Sequence, residues 1–254
     1  MSMPPSKEER VKWRDEPDEP VAIYQNWRNL LFVHWTFDPD VIQKTLPEGL
    51  TVDTFHSKAW VGVIPLFMRD VHPRFVPAVK AVSDFLELNV RTYVYDRQGR
   101  PGVWFYSLDC NQWLAITAAR VGYYLPYHDA EMTAEDGDDG LIDFRCRRRT
   151  SEKLTRFWYT GKGMAHSAEP GTLDFFLIER YLLFTRDPAS GDLFYGRVHH
   201  QPYPLLAPKL AAFDTAMLEA NGLPIPAGAP EAIHFSPGVD VKTYALRRCS
   251  EIPK

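Results

Sequence analysis

Phe85-Leu86-Glu87-Leu88-Asn89-Val90-Arg91-Thr92-Tyr93-Val94 is the stretch on which the reading of this chain turns. A strand points successive side chains to opposite faces, so Leu86, Leu88, Val90 and Val94 share one side while Glu87, Asn89, Arg91 and Tyr93 share the other. Two readings follow. In the first, the sheet is half exposed and the polar row is solvated. In the second, the row lines the interior of a barrel. An acid, an amide, a guanidinium and a phenol there would recognise a small carboxylate or carbonyl compound, with Arg91 clamping it and Glu87 orienting Arg91 or moving a proton.

Strand signals continue on both sides of this stretch. Leu30 to Phe37 and Ala59 to Met68 read as strands, joined through Asp38-Pro39-Asp40, which caps and starts a short helix. Asp96-Arg97-Gln98-Gly99-Arg100-Pro101 turns the central strand into Gly102 to Asp109. Arg180 to Thr185 with Leu193 to His199, and Leu141 to Arg149 with Leu154 to Thr160, make two more hairpins. Helical spacing predicts helices over Gln112 to Val121 and Leu205 to Ala220, the latter from the stripe Leu206, Leu210, Phe213, Met217 and Leu218. Many strands and few helices predict a mainly β (α+β) fold, an antiparallel β-barrel or sandwich with a few peripheral helices. Residues 1–20 are expected to be a flexible leader and residues 21–254 one domain.

The 254 residues include 34 aromatics and 21 prolines, a composition that favours strands and turns over a helical bundle. The formal net charge of −4 lacks the basic surplus needed to hold a phosphate backbone, so nucleic acid is not an expected partner. Three cysteines with no CxxC spacing fit a reducing compartment. There is no signal-peptide pattern and no run approaching the ~20 apolar residues of a membrane span, so a soluble cytoplasmic protein is expected. A homo-oligomer is left open.

Several segments resemble acetoacetate decarboxylase-like proteins. They are Trp27-Arg28-Asn29 through Val33-His34-Trp35-Thr36-Phe37-Asp38-Pro39 to Leu46-Pro47-Glu48-Gly49, then Phe105-Tyr106-Ser107-Leu108-Asp109, and the run from Leu114 through Arg120 to Gly122-Tyr123-Tyr124-Leu125-Pro126. Ala59-Trp60-Val61-Gly62-Val63, Glu87 to Tyr93, Glu179-Arg180-Tyr181 and Val198-His199-His200 resemble more closely the uncharacterised YqjF-like branch of that superfamily, from about Trp27 to Tyr244. The resemblance implies the acetoacetate decarboxylase-like barrel. It also implies a pocket acid near Glu87 and a pocket arginine near Arg28. The decarboxylases carry two lysines directly after the Pro, one of which forms a Schiff base because a cationic neighbour and an apolar pocket lower its pKa. Here Tyr127-His128 follow Pro126, and none of the ten lysines is an obvious replacement, so covalent imine chemistry is not expected.

His128 is either a general acid or base at the barrel mouth or a hydrogen-bonded structural histidine. His199 and His200 are adjacent on a strand, so only one can face a pocket, and no metal is expected. Arg145, Arg147 and Arg149 form a stripe opposite Ile142, Phe144 and Cys146, a solvated or interface face. Cys110 reads as a small buried residue. The candidate residues are therefore Glu87 and His128 for chemistry, and Arg28, Asn89, Arg91, Tyr93, Tyr106 and Arg120 for binding. No cofactor is expected. The function expected is binding of a small oxo- or hydroxy-carboxylate with a non-Schiff-base lyase or isomerase step. The alternatives are a non-enzymatic sensor or carrier, whose pocket Trp35, Trp104 and Tyr106 would line, or an interaction protein.

Overall fold

The structure is a computed structural model that describes residues 3–137 and 140–250. In chain order its elements are α1 (Lys7–Lys12), β1 (Ile23–Phe37), α2 (Pro39–Gln43), β2 (Leu50–Val52), β3 (Thr54–Phe55), β4 (Lys58–Pro73), α3 (Lys80–Ser83), β5 (Phe85–Asp96), β6 (Pro101–Cys110) and α4 (Trp113–Tyr123). There follow β7 (Tyr127–Asp136), β8 (Ile142–Arg148), β9 (Thr155–His166), α5 (Leu173–Ile178), β10 (Leu182–Arg186), β11 (Leu193–His199), β12 (Leu205–Ala212), α6 (Ala216–Ala220), β13 (Ala232–Thr243) and β14 (Arg247–Arg248). The fold is mainly β, as its strand patterning predicts.

The sheet forks. β6 pairs with β5 along its length, but one end, Val103 and Trp104, lies beside Leu183 and Phe184 of β10. The other end, Leu108 to Cys110, lies beside Tyr127 to Asp129 of β7. β13 divides in the same way, meeting β12 through Phe235 and β11 through Lys242 and Thr243. The strands β13-β1-β4-β5-β6 are thus a wall common to two closed circuits, one through β10 and β11 and the other through β7, β8, β9 and β12. Closure removes unpaired edges from this wall.

A shared wall buries both of its faces, which is why every residue of β5 is buried. Leu86, Leu88 and Val90 pack with Leu31, Val33, Val61, Val63, Phe144 and Phe157 in one core. Tyr93 joins Phe32, Trp60, Ile64, Phe176, Leu183 and Tyr203 in the other. Of the two readings of the polar row, the solvated one is excluded by this burial.

Two local expectations change. Residues 205–220 do not form one helix: β12 runs through Leu205–Ala212 and only Ala216–Ala220 is helical. Pro208 lies inside the first half, where it would remove a helical hydrogen bond, and β12 pairs it with Gly161 instead. The leader is tied down from Lys7 onward, because Trp13 is buried against Leu50, Tyr181 and Tyr195 and Arg10 forks onto the carboxylate of Asp53. In the acidic stretch 135–139, Glu135 lies on β7 opposite Asp143, and residues 138 and 139 lie outside the described residues. The arginine stripe is locally neutralised: Arg145 meets Asp143, Arg147 meets Glu131, and Arg149 meets Asp129 and Glu131.

The wall tolerates no side chain where β13 crosses Trp27. Gly238 has φ +136°, and a Cβ there would sit 2.1 Å from the Trp27 carbonyl oxygen. Gly238→Ala is expected to cost about 2–3 kcal/mol in urea unfolding. A loss within experimental error would show that the β1–β13 approach is looser than described.

Candidate functional site

Glu87, Asn89, Arg91 and Tyr93 are 5, 5, 8 and 0% exposed and project into the core that Phe32, Phe176 and Tyr203 help to line. The Tyr127 hydroxyl, from the first residue of β7, donates to Glu87 Oε2 at 2.6 Å, and Asn89 Nδ2 donates to Oε1 at 3.3 Å. Burial raises the Glu87 pKa in spite of both bonds, and burial and then the Glu87 charge hold the Tyr127 phenol well above its ordinary value. A carboxyl that keeps its proton above the usual glutamate range is suited to donate it.

Arg91 Nη2 donates to the Leu177 carbonyl at 3.2 Å and contacts Tyr93 Oη at 3.5 Å, while its guanidinium lies 5.5 Å from the centre of the Phe32 ring. Among the described residues no carboxylate forms an ion pair with Arg91, and its buried Nε has no hydrogen-bond partner. Asn89 Oδ1, two positions away on the same face, is also buried without a partner. Tyr93 completes the row by donating to the Leu177 carbonyl at 2.8 Å, with His34 Nε2 2.7 Å from its oxygen.

The neighbouring cation is treated differently. Arg180 lies 5.0 Å from the Tyr93 ring centre and 4.4 Å from that of Phe176, and its Nη1 meets Asp53 Oδ2 at 3.1 Å. Asp53 also takes the fork of Arg10. Burial lowers the Arg180 pKa to about 10, against the opposing pull of Asp53. Glu179 is raised by burial although it accepts from the Tyr203 amide and the Tyr181 hydroxyl.

Four other candidates do not join the row. Arg28 points outward to Asp240 at 2.5 Å and to the Val239 carbonyl, since the β1–β4 register shifts after it and Asn29 adopts φ +50°. Trp27 takes the inward place beside His200. Tyr106 belongs to the opposite core, where its hydroxyl meets Thr45 at 2.6 Å and burial lifts its pKa to about 12. Arg120 donates from α4 to the Tyr127 carbonyl and so holds the backbone of the site. His128 follows Tyr127 on β7 and takes the other face, with its pKa lowered by burial and then by Arg148. Arg148 itself forks onto the fully buried Asp109 at 2.7 and 2.8 Å.

Of the two histidines, His200 is the buried one. Its Nδ1 donates to the Gln201 carbonyl and its ring stacks on Tyr181 at 4.7 Å. His199 faces Arg14 and Glu16.

A family of uncharacterized conserved proteins, DUF2071, matches residues 24–240. The chain belongs to that family. The uncharacterized protein YqjF of Bacillus subtilis (strain 168) is 31% identical over 234 residues, 92% of this chain and 95% of that protein. Among solved structures, acetoacetate decarboxylase from Legionella pneumophila matches with a TM-score of 0.62 at 13% identity, over 93% of this chain and 91% of that one. The enduracididine biosynthesis enzyme MppR, in complex with pyruvate, matches with a TM-score of 0.60 at 13% identity, over 92% of each chain. An acetoacetate decarboxylase-like enzyme from Sphingomonas wittichii RW1 gives 0.59 at 15% identity, over 92% and 95%. The fold is that of acetoacetate decarboxylase.

Within this DUF2071 chain the positions after Pro126 hold a phenol turned to Glu87 and an imidazole turned away. Every described lysine is exposed except Lys242, which is half buried and paired with Glu16. Borohydride added with acetoacetate or pyruvate is therefore expected to leave the intact mass unchanged. A stable adduct would place a lysine amine where none is described.

The folded-state pKa of His200, lowered to about 4 by burial, gives a second test. The unfolded imidazole takes up its proton near pH 6.5 and the folded one resists, so the stability this residue contributes is full above that value and is lost as pH falls toward about 4. His200→Phe is expected to flatten stability against pH across that window by up to about 1.4 kcal/mol per pH unit. An unchanged slope in chemical denaturation would contradict a buried neutral His200.

Proposed function

We propose that the space against β5 binds a small oxo- or hydroxy-carboxylate and that Glu87 and Tyr127 exchange a proton with it, without a Schiff base. The observation that carries this reading is Arg91, a buried guanidinium with an unpartnered Nε and no ion pair among the described residues. Leaving a charge buried and uncompensated costs several kcal/mol, and a ligand carboxylate offsets that cost. Asn89 Oδ1 supplies an acceptor for a hydroxyl or an enol on the same molecule. The pyruvate held by MppR, a protein of the same fold, is a ligand of this class.

Chemically, the arrangement favours proton transfer at the carbon beside the carbonyl. Arg91 fixes the carboxylate, and Glu87 delivers its proton to the adjacent carbon when protonated or takes one from that carbon when ionised. Tyr127 donates a hydrogen bond to the carboxyl and stabilises Glu87 when it is ionised. A lyase or isomerase step of this kind needs no covalent intermediate.

A sensor or carrier using the same pocket is the second reading, favoured by the apolar enclosure of Phe32, Phe176 and Tyr203. The two part in deuterium oxide. Wild-type protein is expected to speed exchange of the pyruvate methyl protons, seen by NMR, and Glu87→Gln to lose at least about a hundredfold of that rate. Arg91→Ala is expected to abolish pyruvate binding in calorimetry. Binding without exchange in the wild type would make the protein a carrier, and Arg91→Ala binding as well as wild type would end the anion-pocket reading.

A further inference from the structure

A second cationic site lies outside the barrel, where the start and end of the chain meet. Trp13, Lys12 and Glu19 from the N-terminal segment face Tyr195 and Arg197 of β11, Arg247 of β14, and Arg100 from the turn between β5 and β6. They enclose a cleft of about 320 Å³, within the usual size range for small-molecule sites.

Its charge is unbalanced. Four cations line the cleft against one carboxylate, Glu19, which pairs with Arg247 at 2.8 Å. Asp96 holds Arg100 from behind. Among the described residues Lys12 and Arg197 form no ion pair, and Arg197 Nη2 donates to the backbone carbonyl of Asp15. Arg100 is built in rather than loose: its side chain is 5% exposed, its Nε and Nη2 are bound to Asp96 and the Cys249 carbonyl, and its Nη1 is buried without a partner. Arg197 Nε is likewise buried and unpartnered.

The aromatic rings of the cleft are already occupied by these cations. Lys12 Nζ and the Arg197 guanidinium lie 5.7 and 5.2 Å from the centre of the Trp13 indole, and the Arg100 guanidinium lies 4.1 Å from that of Tyr195. Trp13 and Tyr195 meet edge to face at 6.5 Å. The rings therefore position the cations and leave N–H groups, rather than ring faces, for a ligand. Three guanidiniums and an ammonium arriving from separate segments match a compact tetrahedral dianion better than a planar carboxylate, which one fork satisfies.

We propose that this cleft is a binding site for the phosphoryl group of a small phosphorylated molecule, distinct from the barrel interior. The bound group bridges the N-terminal segment to β11, β14 and the β5–β6 turn, so it stabilises the fold in proportion to its occupancy.

The test uses the full chain with inorganic phosphate as probe and acetate as the carboxylate control. Calorimetry and thermal unfolding are expected to show phosphate binding and a raised Tm, with acetate weaker by at least about tenfold. The double variant Lys12→Gln with Arg247→Gln alters half-exposed or exposed side chains. It is expected to keep the unliganded Tm within a few degrees and to lose at least about tenfold in phosphate affinity. Should the double variant unfold, Lys12→Gln alone carries the same expectation at a smaller loss. Arg91→Gln is expected to leave phosphate binding unchanged. The proposal is overturned if phosphate neither binds nor raises the Tm, if acetate binds equally well, or if the cleft variants bind phosphate as the wild type does.

Discussion

Burial of both faces of β5 is the constraint on which the rest of the molecule depends. A strand in a common wall has no wet side, so its polar residues must find partners inside the protein or stay unpaired at a cost. Glu87 finds Tyr127 and Asn89, and Tyr93 finds His34 and the Leu177 carbonyl. Arg91 finds the same carbonyl but no carboxylate among the described residues. A buried guanidinium without a carboxylate, beside the unpartnered Asn89 Oδ1 on the same strand face, is what marks the candidate ligand site.

The contrast with Arg180 sharpens the point. Two buried arginines stand near the same tyrosine ring, and among the described residues Arg180 has a carboxylate and Arg91 has none. Asp53 serves Arg180 and Arg10 together, so the N-terminal segment is bound to the body by a buried charge network as well as by Trp13. The same segment forms one wall of the cationic cleft, two residues beyond Arg10. Ordering of the chain's start and the electrostatics around the row are thus linked through Asp53.

Much of this architecture is legible in the sequence, and the misses have physical causes. Period-two alternation in Leu86 to Val94 sorts its side chains correctly, because alternation depends only on local backbone geometry. The stripe from Leu206 to Leu218 misleads because Pro208 interrupts its helical spacing, and β12 pairs that residue with Gly161. The titration range of His128 makes it a candidate from sequence, whereas strand parity and the position of β7 turn the neighbouring Tyr127 phenol to Glu87. The bulge at Asn29, which no local pattern announces, turns Arg28 outward. The only local sign of the buried Arg148–Asp109 pair is that Arg148 shares strand parity with Phe144 and Cys146, which are buried.

By itself the sequence determined that the chain is strand-rich, that one strand carries an acid, an amide, a guanidinium and a phenol in register, and that lysines are missing from the positions after Pro126. These are properties of composition and of a two-residue repeat. The tertiary structure alone decided that the row is dry, that Tyr127 rather than His128 turns to Glu87, and that among the described residues Arg91 lacks the carboxylate given to Arg180. Burial and pairing depend on which strands close the two circuits, and those strands lie up to 220 residues apart, as Ile23 of β1 and Thr243 of β13 do. No local pattern encodes a charge's partner across such a distance, so the chemistry of the site emerges only when the sheet closes.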